Sequence, residues 1–594
     1  MTIARYHYKV TLCVRAPFLF PGLHSGALGV DATALRDLKN RPLIPGDQLR
    51  GVLKEALGDL PPAIFPAEDV PEAADSPEDN KTKFLARLFG QKSQKEEHEG
   101  ADNSPQRGQI FIRDLCASRM MRDPDATRPT ITDLCQEGLH TRIAIDPKTG
   151  AVTEGALQMV ALVAPMGAGV LFEGSLTLFA PEVFQDRITD VLKKALALIG
   201  SIGAMKTPGF GEVLQAQSAL TLESCVALRT ITAPAAAEGQ RYRLNVTFDR
   251  PILVDSTKMA ENVVASAAVI PGAAFKGALA CRLLRDTPEA LSVDGDIGRA
   301  LDGLSFSHAW PLNAKGQRLN VPLPLSLIAA ETAQGILVGD ALSLADGAGA
   351  LLGNKPALFS GDWKDHIWPE AAEKAGWPQG ACAPLLPRTH TAIHPESGTA
   401  LDEMLFTTLL RSETYWDEND QTVKAQSWQL EVDASLMAQE DQPWGEALIA
   451  LLQKEGLDGF GGTGARASFA LASEDAVMPP EPTPIYGKEH HYAVMLETAA
   501  ILFHPQKAWP KERAATTAST PRAVYGAYFA EHIPSAALCG FFAQQAWAGG
   551  YLARRRRVYG ASIYFPFVVT QPGSIFVLKI TEKKGRDKLA QFLR

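Results

Sequence analysis

The sequence predicts an α+β chain built around a duplicated domain, and three recurring features carry that prediction. A strand with alternating apolar residues, Tyr6, Tyr8, Val10, Leu12 and Val14, returns at Tyr242 to Phe248. A strand end, turn and helix start at Ile44-Pro45-Gly46 returns as Ile270-Pro271-Gly272. A helix running into a glycine-rich loop, Gly200 to Val213, returns at Leu457 to Ala467. The landmarks keep their order and lie about 230 to 255 residues apart, the signature of an internal repeat. We therefore expect homologous domains over 1–230 and 238–478. The Pro-rich stretch Pro479 to Pro484 is a stiff linker, and a smaller unit follows over 490–594.

The bulk numbers agree with several domains, since 594 residues exceed one ordinary core. Hydrophobic content of 46% with 21% charge describes a globular chain. No apolar run reaches the length of a membrane span, and the N-terminus lacks the apolar core of a signal peptide. The seven cysteines are scattered without a CxxC pair, which disfavours a disulfide framework and a cysteine-rich zinc site. A cytoplasmic location, with no membrane partner, is the expectation. Net charge of −9 excludes a uniformly basic nucleic-acid binder, so any such surface must be local. Residues 66–102 hold ten acids against five Lys or Arg, and this composition predicts a mobile insertion. Arg554 to Arg557, between Tyr551 and Tyr559, suit a single-stranded RNA end or a basic face toward a neighbouring subunit.

The elements follow in order. After the first strand comes a small-residue loop from Leu23 to Ala32. Pro45-Gly46 marks a turn, Asp47 is a good N-cap, and Leu49, Val52 and Leu53 recur at helical spacing. A strand resumes at Gly108 to Asp114. Arg142 to Ala151, then Val152 to Val163, reads as a long hairpin arm around Pro147-Lys148-Thr149-Gly150. A strand near Val170 to Phe179 precedes an amphipathic helix over Phe184 to Ile199. In the second copy, His390 to Gly398 repeats the arm, and a helix over Glu446 to Lys454 leads into the second glycine-rich loop. The last unit reads as a strand at Tyr492 to Leu502 and an apolar helix near Ala536 to Ala546. Two strands, Tyr559 to Val569 and Ile575 to Ile580, close it around Gln571-Pro572-Gly573-Ser574.

Some of these segments have a chemistry of their own. A helix start with one cation beside glycine approaches a phosphate closely; Arg50 with Gly51 and Lys276 with Gly277 fit that pattern. Glycine-rich loops lay backbone amides against phosphates because no Cβ intervenes. Gly459, Gly461, Gly462 and Gly464 carry Arg466 beside them, and Gly200, Gly203, Gly209 and Gly211 surround Lys206. A plain strand-to-helix connection and a tight turn needing positive φ explain the same residues structurally. His24, His140, His390 and His394 fall in or near these segments. They suit an acid–base pair or, more plainly, polar surface and stacking.

Together these residues resemble the RAMP superfamily of CRISPR-associated proteins. The resemblance rests on the Ile-Pro-Gly turn with its Lys/Arg-Gly helix, the hairpin arm and the late glycine-rich loop. More narrowly, Leu23-His24-Ser25-Gly26, Asp31 and Ile44-Pro45-Gly46 are similar to the backbone (Cas-seven-type) subunits of type III effector complexes. A chain with two such domains resembles the fused backbone subunits of type III-D and related systems. The C-terminal unit is similar to part of another RAMP domain.

The resemblance implies tandem ferredoxin-like, RNA-recognition-like domains with hairpin-thumb insertions. It implies guide (CRISPR) RNA, complementary target RNA and other effector subunits as partners. RNA-binding residues would be His24, Arg50, Lys54, Arg142, Lys206, Lys276, Arg388, Arg466, Arg555 and Arg556. It implies metal-dependent endoribonuclease activity, with Asp31 near the scissile phosphate holding Mg2+ or another divalent cation. An Asp capping its own turn is the structural alternative. In the second copy Asp255 stands slightly too far ahead of the turn, so that domain either binds without cutting or uses Asp255 in a shifted loop. A non-catalytic scaffold and a metal-independent guide-processing endoribonuclease are the rival functions.

Overall fold

Every second residue of β1 (Ile3–Arg15) is apolar, and Tyr6, Tyr8, Val10, Leu12 and Val14 are buried. Period-two burial puts one face of a strand on a core. The first domain is organised on this strand in a computed structural model. It describes residues 2–22, 30–66, 76–91, 106–127, 130–134, 138–228, 231–234, 237–255, 257–258, 262–286, 295–332, 335–343, 351–352, 355–356, 377–378, 380, 382–393, 400–472, 481–485, 488–502, 520–548 and 567–593.

After β1 come β2 (Leu43–Ile44), α1 (Gly46–Asp59), α2 (Pro77–Phe89), β3 (Ile110–Ile112) and β4 (Leu115–Met121). The hairpin strands β5 (Gly138–Arg142) and β6 (Gln158–Leu162) follow, then β7 (Gly169–Pro181), α3 (Gln185–Leu198) and β8 (Ala219–Ala227). The sheet runs β8-β1-β7-β4-β2, every pair antiparallel. Chain order β1-α1-β4-β7-α3-β8 with that sheet order is the ferredoxin-like β-α-β-β-α-β arrangement. Leu49, Leu53 and Leu57 of α1, with Ile188, Val191 and Leu192 of α3, join the β1 side chains in one core. Each such side chain contributes about 1.5–3 kcal/mol on burial.

The second domain repeats the plan. Its elements are β9 (Arg241–Phe248), β10 (Val263–Ala265), α4 (Gly272–Asp286), α5 (Asp296–Gly303) and β11 (Ser305–Phe306). Then come β12 (Leu385–Ile393), β13 (Ala400–Arg411), β14 (Thr414–Asp417), β15 (Thr422–Ala425), β16 (Trp428–Asp433), α6 (Gln442–Glu455), β17 (Leu457–Phe460) and β18 (Ala465–Leu471). Its sheet runs β11-β16-β9-β18-β17. The fold is thus α+β, as the sequence predicts.

Both domains, within 1–311 and 381–472, belong to one compact unit; most of 312–380 and 473–594 form the other. In the latter, β19 (His491–Met495), α7 (Pro521–His532), β20 (Ala537–Phe542), β21 (Ile575–Lys579) and α8 (Lys583–Phe592) give β-α-β-β-α. Its sheet order is β19-β21-β20. This unit carries its own core around Tyr525, Phe529, Phe576 and Leu578.

Four local expectations are corrected. Within the acidic segment, α2 is a helix with a Ser76–Asp79 capping box, and Phe84, Leu88 and Phe89 are buried. Their helical spacing outweighs the charged composition around them. Asp47 lies in the first turn of α1 rather than capping it, because the helix begins at Gly46. The apolar stretch at 536–546 holds a strand, β20, in place of the expected helix; Cys539, Phe541 and Phe542 are ordinary strand formers and pair with β21. The chain at Phe567–Thr570 pairs with Gln545–Ala548 rather than with β21.

Candidate RNA-facing site

The hairpin arm is the first component of the site. β5 and β6 pair antiparallel from Gly138↔Leu162 to Arg142↔Gln158, and Ile145 bridges Val152 further out. Gly150, at φ +67°, supplies the left-handed residue at the tip. The arm is unusually apolar for an exposed hairpin, with Leu139, Ile143, Ile145, Val152 and Leu157 all more than half exposed.

Asp31 lies along the base of this arm. Its amide donates to the Met159 carbonyl at 2.9 Å, and the Met159 amide donates to its Oδ2 at 2.7 Å. Ala32 forms a parallel bridge with Val160. The side chain is exposed, so the carboxylate is pinned at one oxygen and faces solvent.

The glycine-rich loop is the third component. Gly203, Met205, Gly209 and Gly211 all take positive φ. The loop bonds mainly to itself and to the chain after β1: Ala204 donates to Leu19, Gly211 to Pro17, and Gly209 to Lys206. Few of its amides are left for a phosphate, and its outward offering is the exposed Lys206 side chain. Leu19, Val160 and Phe210 form a small buried cluster against which Ala32, Ala204 and Met205 pack. His140, opposite Val160 on the arm, sets its ring against Phe210 at 5.6 Å. One apolar knot therefore brings together Asp31, the arm with His140 and Arg142, and the loop with Lys206.

Other expected contacts are turned toward protein. Arg50 donates to the Phe89 carbonyl at 2.7 Å and lies over that ring, which Lys54 also approaches. Lys276 donates to the Asp302 carbonyl at 2.7 Å, capping the end of α5. Arg466 grips Asp458 at 2.7 and 2.8 Å and the Glu455 carbonyl at 2.5 Å. Arg388 bonds Asp114 at 2.5 Å and is buried. The turn glycines serve packing: a Cβ at Gly46 would strike the Ile112 carbonyl, and one at Gly272 the Phe306 carbonyl. Asp114 accepts the Gly46 amide at 2.8 Å, so a protein carboxylate already sits at the start of α1. His24, His394, Arg555 and Arg556 lie outside the described residues.

The second domain departs from the first in two ways. Its strand β10, parallel to β13, stands where Asp31 and Ala32 stand beside β6, and it reads Val263-Val264-Ala265 without a carboxylate. Asp255 sits ahead of it, exposed, at φ +47°. Its glycine-rich loop is also covered. Phe111 of β3 lies on Gly459 and Gly464, and Arg107 donates to the Gly461 carbonyl. Sequence reasoning missed Phe111 and Arg107; a strand register carries no signal for a partner some 350 residues away.

Among the described residues no group of three or more His, Cys, Asp or Glu is placed to hold a metal ion. Asp31 offers a single carboxylate, which suits Mg2+ only where phosphate oxygens and waters complete its shell.

Residues 14–213 match the family model of the RAMP superfamily. This span runs from the end of β1 through the arm to the glycine-rich loop. No curated protein matches the chain. Among solved structures, the chain is similar to one from the cryo-EM structure of the type III-B Cmr-beta bound to cognate target RNA. The identity is 15% over 38% of this chain, with a TM-score of 0.23. The match spans 61% of that chain's length, so less than two thirds of it is represented here.

Proposed function

We propose that this chain is an RNA-binding backbone subunit of a type III-like CRISPR ribonucleoprotein, holding guide RNA and cutting complementary target RNA at the first domain. The observation that supports this reading is the convergence of Asp31, the exposed hairpin arm and Lys206 on the Leu19–Val160–Phe210 knot. The superfamily match covers that same span.

The division of labour follows from the side chains. Lys206, exposed on a loop that bonds back to the chain after β1, is a point charge for a backbone phosphate. The arm presents apolar side chains, which wedge against bases and not phosphates. Asp31 is held by Met159 at one oxygen, so its other oxygen keeps a constant direction. Mg2+, when bound there with RNA, would polarise the scissile phosphate and its attacking oxygen. In the second domain β10 lacks the carboxylate, and that domain binds without cutting. The fused arrangement of the type III-D kind, partner subunits and a cytoplasmic setting belong to the same proposal.

One observation favours a second reading. The paired Asp31–Met159 bonds tie this loop to the arm, as expected of an Asp whose role is to hold the loop in place. The chain would then be a non-catalytic scaffold.

The test is to express the chain with its genomic neighbours and a guide array, then add labelled complementary RNA and magnesium. Periodic cuts in wild type, with one position lost in Asp31→Ala and none in Asp255→Ala, are the expected result. Target bound tightly but uncut would establish the scaffold. Precursor guide RNA cleaved in chelator would establish the processing enzyme. A particle purified without RNA would overturn the reading altogether.

A further inference from the structure

A cavity of about 180 Å3 lies between the two ferredoxin-like domains, and neither Asp31 nor the arm lines it. By the same measure one water needs about 10–15 Å3, so there is room for a small ligand with its waters. Its wall is crowded with charge. Arg113 and Asp114 come from the β3–β4 turn, Asp249 and Arg250 from the end of β9, and Arg388 and Glu413 from the β12 and β13–β14 region.

The charges do not cancel where it matters. Asp114 is used by Arg388 and by the Gly46 amide. Asp249 is used by both forks of Arg250 and by the Arg466 amide. Asp37, at the edge, is used by Arg41. The donors, by contrast, have capacity left. Arg250 and Arg388 are 6% and 7% exposed, and each keeps a buried Nη1 without an acceptor. Arg113 reaches Asp249 only at 3.9 Å and is otherwise exposed. A buried guanidinium N–H without an acceptor is costly, so two on one cavity wall ask for an anion. Glu413 is the one acceptor left over, with a buried Oε2 lacking a partner; burial, helped by Asp114 and Asp249, raises its pKa and weakens it as a rival to an incoming anion.

The rim suggests what the anion is attached to. Val423 and Thr414 line the cavity, and the β14–β15 register places Trp416 directly opposite Val423. Residues two apart on a strand share a face, so Trp416 lies on the cavity side, 45% exposed. A base joined to a phosphate in the cavity would find an indole to stack on.

We propose that this cavity is a phosphate site for a nucleotide, held by the free Nη1 groups of Arg250 and Arg388 with Arg113 at the mouth and Trp416 beside the base. It does not depend on the RNA-cutting reading. The phosphate could belong to a free nucleotide or to an RNA strand, and the two are separable.

The experiment is thermal unfolding of the full chain with adenosine, AMP, or penta-adenylate lacking a terminal phosphate. Arg250→Lys and Arg388→Lys are run beside wild type. Lysine keeps the charge and a donor for Asp249 or Asp114 but loses the second guanidinium donor, so these variants should fold. A rise in melting temperature with AMP and none with adenosine assigns a free nucleotide. A rise with penta-adenylate alone assigns an RNA phosphodiester. In either case both lysine variants should bind about tenfold or more weakly, the loss of one charged hydrogen bond. No rise with any phosphate ligand, or lysine variants that bind like wild type, would overturn the proposal.

Discussion

The ring of Phe111 in the first domain lies on Gly464 in the second, where an added Cβ would come within 2.5 Å of its Cδ1. Gly464 also holds φ +67°, a conformation other residues adopt at a cost. Phe111 meets Phe179 edge-on at 6.2 Å, and Arg285 of α4 lies 3.5 Å over the Phe179 ring. The domains are thus joined through an aromatic pair set between a glycine turn and a guanidinium. We expect Gly464→Ala to destabilise the chain by about 1–3 kcal/mol through overpacking and backbone strain. Adding Phe111→Ala should recover the overpacking part, so the two effects should be less than additive in a double-mutant cycle. Equilibrium denaturation of the four proteins measures this; strict additivity would place Phe111 elsewhere.

What was legible in the sequence follows from the range of each interaction. Period-two burial in β1 and β9, the Ile-Pro-Gly turns and the left-handed glycines are local, and they place both ferredoxin-like cores. The roles of cations were less legible, because a lysine or arginine beside glycine reads alike whether its partner is a phosphate or a carbonyl. Arg466 and Lys276 find Asp458 and the Asp302 carbonyl, partners fixed only by folding. Three motif segments meeting at Val160 and Phe210 could be guessed from their repetition, but the contact itself could not. Helix α2 was hidden because bulk charge masked the spacing of Phe84 and Leu88.

Asp31 separates charge from shape. Asparagine at 31 keeps a carbonyl oxygen to accept the Met159 amide, while alanine removes it. We expect Asp31→Asn to unfold within about 0.5 kcal/mol of wild type and Asp31→Ala to lose about 1 kcal/mol, the worth of an exposed hydrogen bond. Target cutting should fall in both by a hundredfold or more if charge is what counts. Cleavage retained in Asp31→Asn but lost in Asp31→Ala would show that only the loop's shape matters.

Lys206 and Arg466 should behave oppositely although both adjoin glycine-rich loops. Lys206→Ala removes an exposed cation, so stability should stay within about 0.5 kcal/mol. Its RNA affinity should weaken at low salt, with the salt dependence of log K falling by about one unit of slope. Arg466→Ala leaves Asp458, which is 7% exposed, with only the more distant Arg5 at 3.6 Å. A loss of about 1.5–3 kcal/mol is expected, the worth of a charged hydrogen bond, with little direct effect on RNA binding by the folded fraction. Filter binding across a salt series, beside urea denaturation, distinguishes the two. Equal stability losses would show that Lys206 is also structural.

Glu413 should make the junction between domains sensitive to pH. Burial raises its pKa above the ordinary glutamate value, and the negative charges of Asp114 and Asp249 add to the rise. The folded protein therefore holds this proton more tightly than the unfolded chain does. Between the unfolded and folded pKa values the native state carries more bound protons, so this group's contribution to stability falls as pH rises through that window. Asp249 works in the opposite direction. Burial raises its pKa, but the hydrogen bond and charge of Arg250 and the Arg466 amide outweigh burial and hold it low. Its contribution is complete above the ordinary aspartate value and disappears as pH drops through its folded pKa. Glutamine at 413 matches the neutral acid in shape and cannot ionise. We expect Glu413→Gln to equal wild type near pH 3, well below the ordinary glutamate pKa, where the acid is protonated in both states, and to exceed it at pH 7. Chemical denaturation of both proteins across that range measures the difference, which should grow with pH and then level off. A difference that stays constant with pH would mean that Glu413 is ionised in the folded protein as it is in the unfolded one.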